Sequence, residues 1–233
     1  MVIRVISHAK VLQNRAISLD RETADILDVY HGDEILYILN KKGIVNIRKF
    51  KGDIILGPGE KYLSSCTIMS YGGTNLVVST SNDVRQAIDV DIGDDVLFIV
   101  DNDINIIIRH AFLSNICSLD TFNKNISALV IDITTLWPQT KQTILPKNVR
   151  DILGVDEGDI FTLSLDETDN IIVNQEVSKN LLREAKLIRK SLFYVSKEIS
   201  NILNITTGNK ILWIIDEDGN IIMRNAILSD NCI

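Results

Sequence analysis

The sequence predicts a mainly β protein of two similar domains, each carrying short helices. One short pattern recurs four times along 233 residues: a strand, a polar or basic turn into a short helix, an apolar L-x-V/I exit, a glycine and an apolar hairpin. The glycines of the four copies, Gly32, Gly93, Gly158 and Gly208, pair at long range: Gly32 and Gly158 stand 126 residues apart, Gly93 and Gly208 115 apart. The apolar content, 45% of the chain, is weighted to Ile, Leu and Val, which suits buried strands.

Shifted by 115 positions, the second copy from Asp101 to Cys117 falls on Asp216 to Cys232 without a gap. Asp101/Asp216, Asn105/Asn220, Arg109/Arg224, Ala111/Ala226 and Cys117/Cys232 are among the identical pairs, whereas the first and second copies share far less. A two-copy unit was therefore duplicated whole. The expected domains are residues 1–120 (repeats 2–50 and 62–116) and 121–233 (repeats 126–175 and 182–231), with a boundary near 119–125.

Taken in order, each copy begins with a strand before its helix, at 16–19, 76–78, 142–145 and 192–195. A further strand is expected ahead of it at 2–12 and 128–133. Two-turn helices follow at 20–27, 81–88, 146–153 and 196–203, opening on Asp20, Ser81, Pro146 and Ser196, which are N-cap types or a first-turn proline. Helices this short cannot stand alone and must lie on a sheet. After each glycine comes a hairpin with Asp, Asn or Gly at its tip, residues that tolerate the left-handed backbone of tight turns. Two inserts interrupt the repetition. Residues 52–69 contain the turn Gly57-Pro58-Gly59; residues 176–190 read as either helix or strand, although 185–188 matches 9–12 and favours a strand at the end.

The formal charge is −7, and residues 1–120 carry 12 Lys and Arg against 16 Asp and Glu, residues 121–233 12 against 15. Neither half is basic, which opposes strong non-specific nucleic-acid binding but leaves a local basic face open. No apolar run reaches the roughly 18 residues of a membrane span, and residues 1–10 lack a secretion signal. These features favour a soluble, cytoplasmic protein. Three cysteines, Cys66, Cys117 and Cys232, without a C-x-x-C pair, argue against a zinc site or disulfide framework.

The third copy, from Lys141-Gln142-Thr143-Ile144-Leu145-Pro146-Lys147 through Val149-Arg150 to Leu153-Gly154-Val155 and Gly158-Asp159, resembles the AbrB/MazE/SpoVT family of swapped-hairpin DNA-binding domains. It departs where Thr140 stands for the usual glycine; the other copies replace the proline by Asp20, Ser81 and Ser196. The resemblance implies that two copies interlock their hairpins into one small barrel, so four copies make two swapped-hairpin barrels. It also implies that basic residues on the strand-to-helix loop and first helical turn touch double-stranded DNA. The matching positions are Arg15, Arg85, Lys141, Lys147 and Arg150, with Lys190 and Lys197 at or next to matching positions and Arg21 and Arg189 as neighbours. Ala24 and Ser200 stand where the family has its helix arginine, and Asn75-Leu76 replaces the basic loop of the second copy.

Arg48, Arg109 and Arg224 end the second hairpin strand at matching places and read as structural, with an ion pair to a neighbouring strand. The acidic clusters at the turns lack EF-hand spacing, and His8, His31 and His110 stand in no ligand or catalytic spacing. No cofactor, metal or catalytic constellation is indicated. The leading reading is a DNA-binding transcription regulator. The alternative is an antitoxin-like or scaffold module that keeps the barrel, loses most DNA contacts and binds a protein; homodimer formation is left open.

Overall fold

The computed structural model describes residues 2–71, 75–113, 128–166, 170–176 and 180–229. The chain divides into two compact units, Met1–Ala111 and Phe112–Cys232. The expected boundary at 119–125, Cys117 and Cys232 lie outside the described residues.

Unit 1 contains β1 (Val2–Lys10), β2 (Ala16–Leu19), α1 (Arg21–Leu27), β3 (Glu34–Leu39), β4 (Val45–Lys49), β5 (Lys61–Thr67), β6 (Met69–Tyr71), β7 (Asn75–Ser79), α2 (Asn82–Ala87), β8 (Asp95–Val100) and β9 (Ile106–His110). Unit 2 contains β10 (Phe112–Leu113), β11 (Ala128–Thr135), β12 (Gln142–Ile144), α3 (Lys147–Leu153), β13 (Ile160–Leu165), β14 (Ile171–Asn174), β15 (Leu181–Lys186), β16 (Leu192–Tyr194), α4 (Lys197–Ile202), β17 (Lys210–Asp216), β18 (Ile221–Asn225) and β19 (Ile227–Ser229). The protein is mainly β, built from antiparallel sheets. The second insert becomes β15 followed by a 3₁₀ turn at Arg189–Ser191 rather than a helix.

The helices begin where capping chemistry places them. Asp20, Ser81 and Ser196 each accept the N–H three residues on, from Thr23, Val84 and Ile199. Pro146 opens α3 without a side-chain cap. Each helix runs into one left-handed residue: Asp28, Asp89, Gly154 and Asn204, with φ between 50 and 66°, types that reach this region most easily.

Each copy lends its first strand to the other copy's hairpin. In unit 1, β1 pairs with β8 and β5 pairs with β3, while the two hairpins meet through β4 and β9. The order is β1-β8-β9-β4-β3-β5. Unit 2 repeats it as β11-β17-β18-β14-β13-β15, with β10 added outside β11. The exchange is locked at the repeating glycines, all with φ between 91 and 100°. The N–H groups of Gly32, Gly93, Gly158 and Gly208 donate to the carbonyls of Ile68, Val11, Leu187 and Leu136 at 2.7–2.9 Å. Each acceptor belongs to the sister copy.

A second, small sheet carries the strand before each helix: β2 with β7, flanked by β6, in unit 1, and β12 with β16 in unit 2. One core per unit fills the space between. Unit 1 buries Ile17, Tyr37, Ile68, Val84 and Phe98. Unit 2 buries Leu145, Val149, Phe161, Phe193 and Trp213; Phe193 meets Phe161 and Trp213 edge-on, ring centroids 5.1 and 6.1 Å apart. Burying each such side chain contributes about 1.5–3 kcal/mol.

Candidate nucleic-acid interface

In unit 2 the two-stranded ladder is short because its purpose is to join two helix starts. Gln142 faces Tyr194, Thr143 faces Phe193 and Ile144 faces Leu192. One further hydrogen bond extends each end, Val195 N–H to the Lys141 carbonyl and Leu145 N–H to the Ser191 carbonyl, both 2.9 Å. Lys141 thus lies opposite the residue pair that leads into α4 at Lys197, and Ser191, next to Lys190, lies opposite the pair that leads into α3 at Lys147. By register, Lys141 and the start of α4 at Lys197 stand at one end of the ladder, and Lys190 and the start of α3 at Lys147 at the other. All four lysines are exposed.

Alternation sets the faces of this ladder. Thr143 and Phe193 point inward and are fully buried, whereas Ile144 and Tyr194 point outward, 38% and 43% exposed. The Arg183 guanidinium lies 5.6 Å from the centre of the Tyr194 ring. Trp137, 38% exposed, is held by its main chain beside the ladder: its N–H donates to Gln142 at 2.8 Å and its carbonyl accepts from Lys141 at 3.1 Å.

Carboxylates temper the positive charge. Lys147 pairs with Asp151 one turn on, both side chains largely exposed, so the pair is weak and easily exchanged. Arg150 is mostly covered and gives Nη1 to Asp156 at 2.9 Å. Lys190 donates its N–H to Glu157 Oε2 at 3.2 Å. Among the described residues, the ammonium groups of Lys141, Lys190 and Lys197 have no carboxylate within ion-pair range.

Unit 1 uses the same scaffold differently. Arg15 matches Lys141: both are exposed and left-handed, with φ of 64 and 52°. The Arg15 carbonyl accepts from both the N–H and Oγ1 of Thr80 at 2.9 Å. Arg85 matches Arg150 but is buried, its guanidinium closed on the Thr80 carbonyl at 2.8 Å and on Asn82. Arg85 therefore stands apart from the surface lysines, for the physical reason that it satisfies a main-chain oxygen inside unit 1. Arg21 is spread along α1 towards Asp25 at 3.7 Å. Asp20, Glu22 and Asp83 accompany these residues, so this face is not basic.

Tyr194, Arg183 and Trp137 were not singled out in the sequence. Their signal is contrast between copies. Tyr194 matches Ser79, Arg183 matches Ser64 and Ile144 matches Ser18 by register, and residues 137–141 form a loop one residue longer than 12–15.

Several further polar groups are held within the fold. Arg48 grips Glu60 with both terminal nitrogens; that arginine and then the Gly57 N–H hold the Glu60 carboxyl below its ordinary range. Burial pushes the Tyr37 phenol well up, and burial likewise raises the Cys66 thiol beside it. Asp101 Oδ1 accepts from the N–H groups of Asp103 and Asn105, and Asp216 does the same for Asp218 and Asn220; the acidic hairpin tips are turn-forming. Among the described residues, no three His, Cys, Asp or Glu side chains are grouped to hold a metal, and no helix is long and apolar enough to cross a membrane. Comparison with protein-family models, with curated proteins and with solved structures gives no match for this chain.

Proposed function

We propose that the chain is a DNA-binding transcription regulator of the AbrB/SpoVT type, and that unit 2 carries the DNA contact. In this reading each unit is a swapped-hairpin barrel, and the small ladder and helix starts of unit 2 face the duplex. The observation that carries it is the placement by register of exposed Lys141 and Lys197 near one end of the β12–β16 ladder and of exposed Lys190 and Lys147 near the other. Four exposed ammonium groups near the ends of one ladder suit phosphate oxygens, which position a protein on DNA without reading sequence. Lys147 leaves Asp151 for a phosphate at little loss, since an exposed pair of this kind is worth about 0.3–0.5 kcal/mol.

A second reading is favoured for unit 1. With Arg85 turned inward and acidic residues at both helix starts, this unit suits binding of a protein partner better than binding of DNA. The whole chain then tethers a partner to the site held by unit 2.

The test is fluorescence anisotropy of a labelled random duplex titrated at low and near-physiological salt. Affinity is expected to fall with a log–log slope of about −3 to −4 if all four lysines contact phosphates. Absence of binding at low salt removes the DNA reading and leaves the protein-interaction module.

A further inference from the structure

We propose that the outer face of the β12–β16 ladder is a stacking platform for unpaired DNA bases, with Tyr194 and Arg183 as the stack and the ladder-end lysines as the backbone grip. It rests on the reading of unit 2 as a DNA contact and goes beyond it in naming single-stranded DNA as a ligand.

The argument starts from what the fold does not need. Unit 1 builds the same ladder with Ala16, Ser18 and Ser79 where unit 2 has Gln142, Ile144 and Tyr194. Where unit 2 has Arg183, unit 1 has Ser64, whose hydroxyl accepts from Ser81 at 3.0 Å. Small side chains at these positions therefore suffice for the scaffold. Unit 2 instead exposes a tyrosine ring with a guanidinium 5.6 Å from its centre, and exposes Ile144 alongside.

A planar guanidinium over an aromatic ring forms a layered surface on which a further π system stacks. The π faces of bases in a duplex are already stacked on one another, so such a surface gains contact only with a base that is out of the stack. Charge decides the class of ligand. Lys141 and Lys197 stand at one end of the ladder and Lys190 and Lys147 at the other, separated by about 13 Å from the rise per residue of a strand. A flat apolar-aromatic centre between two cationic ends suits a base flanked by phosphates; it does not suit an apolar peptide, which would leave the ammonium groups without counter-charge.

The experiment compares the full-length protein with Tyr194→Ala, Tyr194→Phe and Arg183→Ala. Each is titrated by anisotropy against a labelled oligothymidylate of about 15 nucleotides and against a duplex, with circular dichroism to verify folding. Tyr194→Ala and Arg183→Ala are expected to weaken strand binding roughly 5- to 100-fold, the range of one lost base stack. Tyr194→Phe keeps the affinity, and duplex binding changes less than about twofold on the phosphate-contact reading. If both alanine variants bind the strand like the parent, the platform is wrong. It is equally overturned if Tyr194→Ala weakens strand and duplex alike, because the ring would then serve a general contact. A parent protein that binds duplex but not the strand overturns the platform and leaves the DNA-binding reading standing; binding to neither removes both.

Discussion

Units 1 and 2 share the order of their six main strands and their glycine locks, yet their side chains differ at two matched places: the polar group around Thr134 and the ladder face. In unit 2, Thr134 Oγ1 accepts from Trp213 Nε1 at 2.8 Å and from Thr143 Oγ1 at 2.9 Å. By register the same positions in unit 1 are Ala9, Phe98 and Ile17, an apolar set. On the outside, Tyr194, Arg183 and Ile144 stand against Ser79, Ser64 and Ser18, while the cation of Lys141 has its counterpart in Arg15. Duplication left the backbone rules intact and let side chains that no backbone bond requires drift apart. The difference teaches where to look for function: at matched positions where one unit departs from what is sufficient for the other.

The comparison breaks most visibly in the core. Trp213→Ala removes a fully buried indole and strands the hydrogen-bonded threonines; a loss of about 3–5 kcal/mol is expected. Hydrogen exchange localised by mass spectrometry should show it in residues 128–229, and comparable loosening of residues 2–111 would contradict the separate cores. On the surface, Lys141→Ala with Lys197→Ala should weaken duplex binding roughly tenfold and flatten the salt slope by about 1–2, while Arg15→Ala should shift it far less. A larger effect of Arg15 would move the contact to unit 1.

Arg85→Ala separates stability from binding. It leaves the Thr80 carbonyl unpaired near the interior, for about 1–3 kcal/mol, and should not alter DNA affinity; a binding loss without destabilisation would restore Arg85 as a contact. A smaller effect concerns the hairpin tips. Ile104 holds φ at 64° and is 69% exposed, at the turn position where Gly43 and Gly219 hold φ at 82°. A β-branched residue is strained there, so Ile104→Gly should stabilise by up to about 1 kcal/mol, part of the relief being offset by the freer unfolded chain. A lower melting temperature would refute it.

The smallest expected effect is on acid stability. Glu60 is held below its ordinary carboxyl range by Arg48. A depressed acid favours the folded state above its unfolded value and loses that contribution as pH falls through its lowered value. Glu60→Gln should therefore make unit 1 less stable near neutrality and flatten its loss below about pH 4.5. An unchanged acid limb would show that the pair contributes nothing.

Much of the architecture was legible because its signals are local. Asp20, Ser81 and Ser196 cap helices through N–H groups three residues away, and Asp101 and Asp216 close turns through groups two and four residues away. The site was legible only in part. Lys141, Lys147 and Lys197 were named from the resemblance and are exposed at the ladder ends. For Lys190, the ladder register gives the matching position to Ser191. Arg85 was named on the same grounds as Arg150, but nothing in its neighbours along the chain announces that its guanidinium turns inward. Tyr194 and Arg183 stand 11 residues apart on strands of different sheets and become a pair only when β15 and β16 are placed.

By itself the sequence determined four hairpins, four short helices, three of them opened by a capping side chain, and the duplication, because turn, cap and alternation chemistry acts over a few residues. Only the tertiary structure decided that β1 joins β8 and β5 joins β3, that Lys141 lies opposite Val195 at the approach to α4, and that Arg85 is interior while Tyr194 is exposed. Strand pairing joins residues far apart in the chain, and burial depends on what covers a side chain, so neither is written in any short stretch of residues.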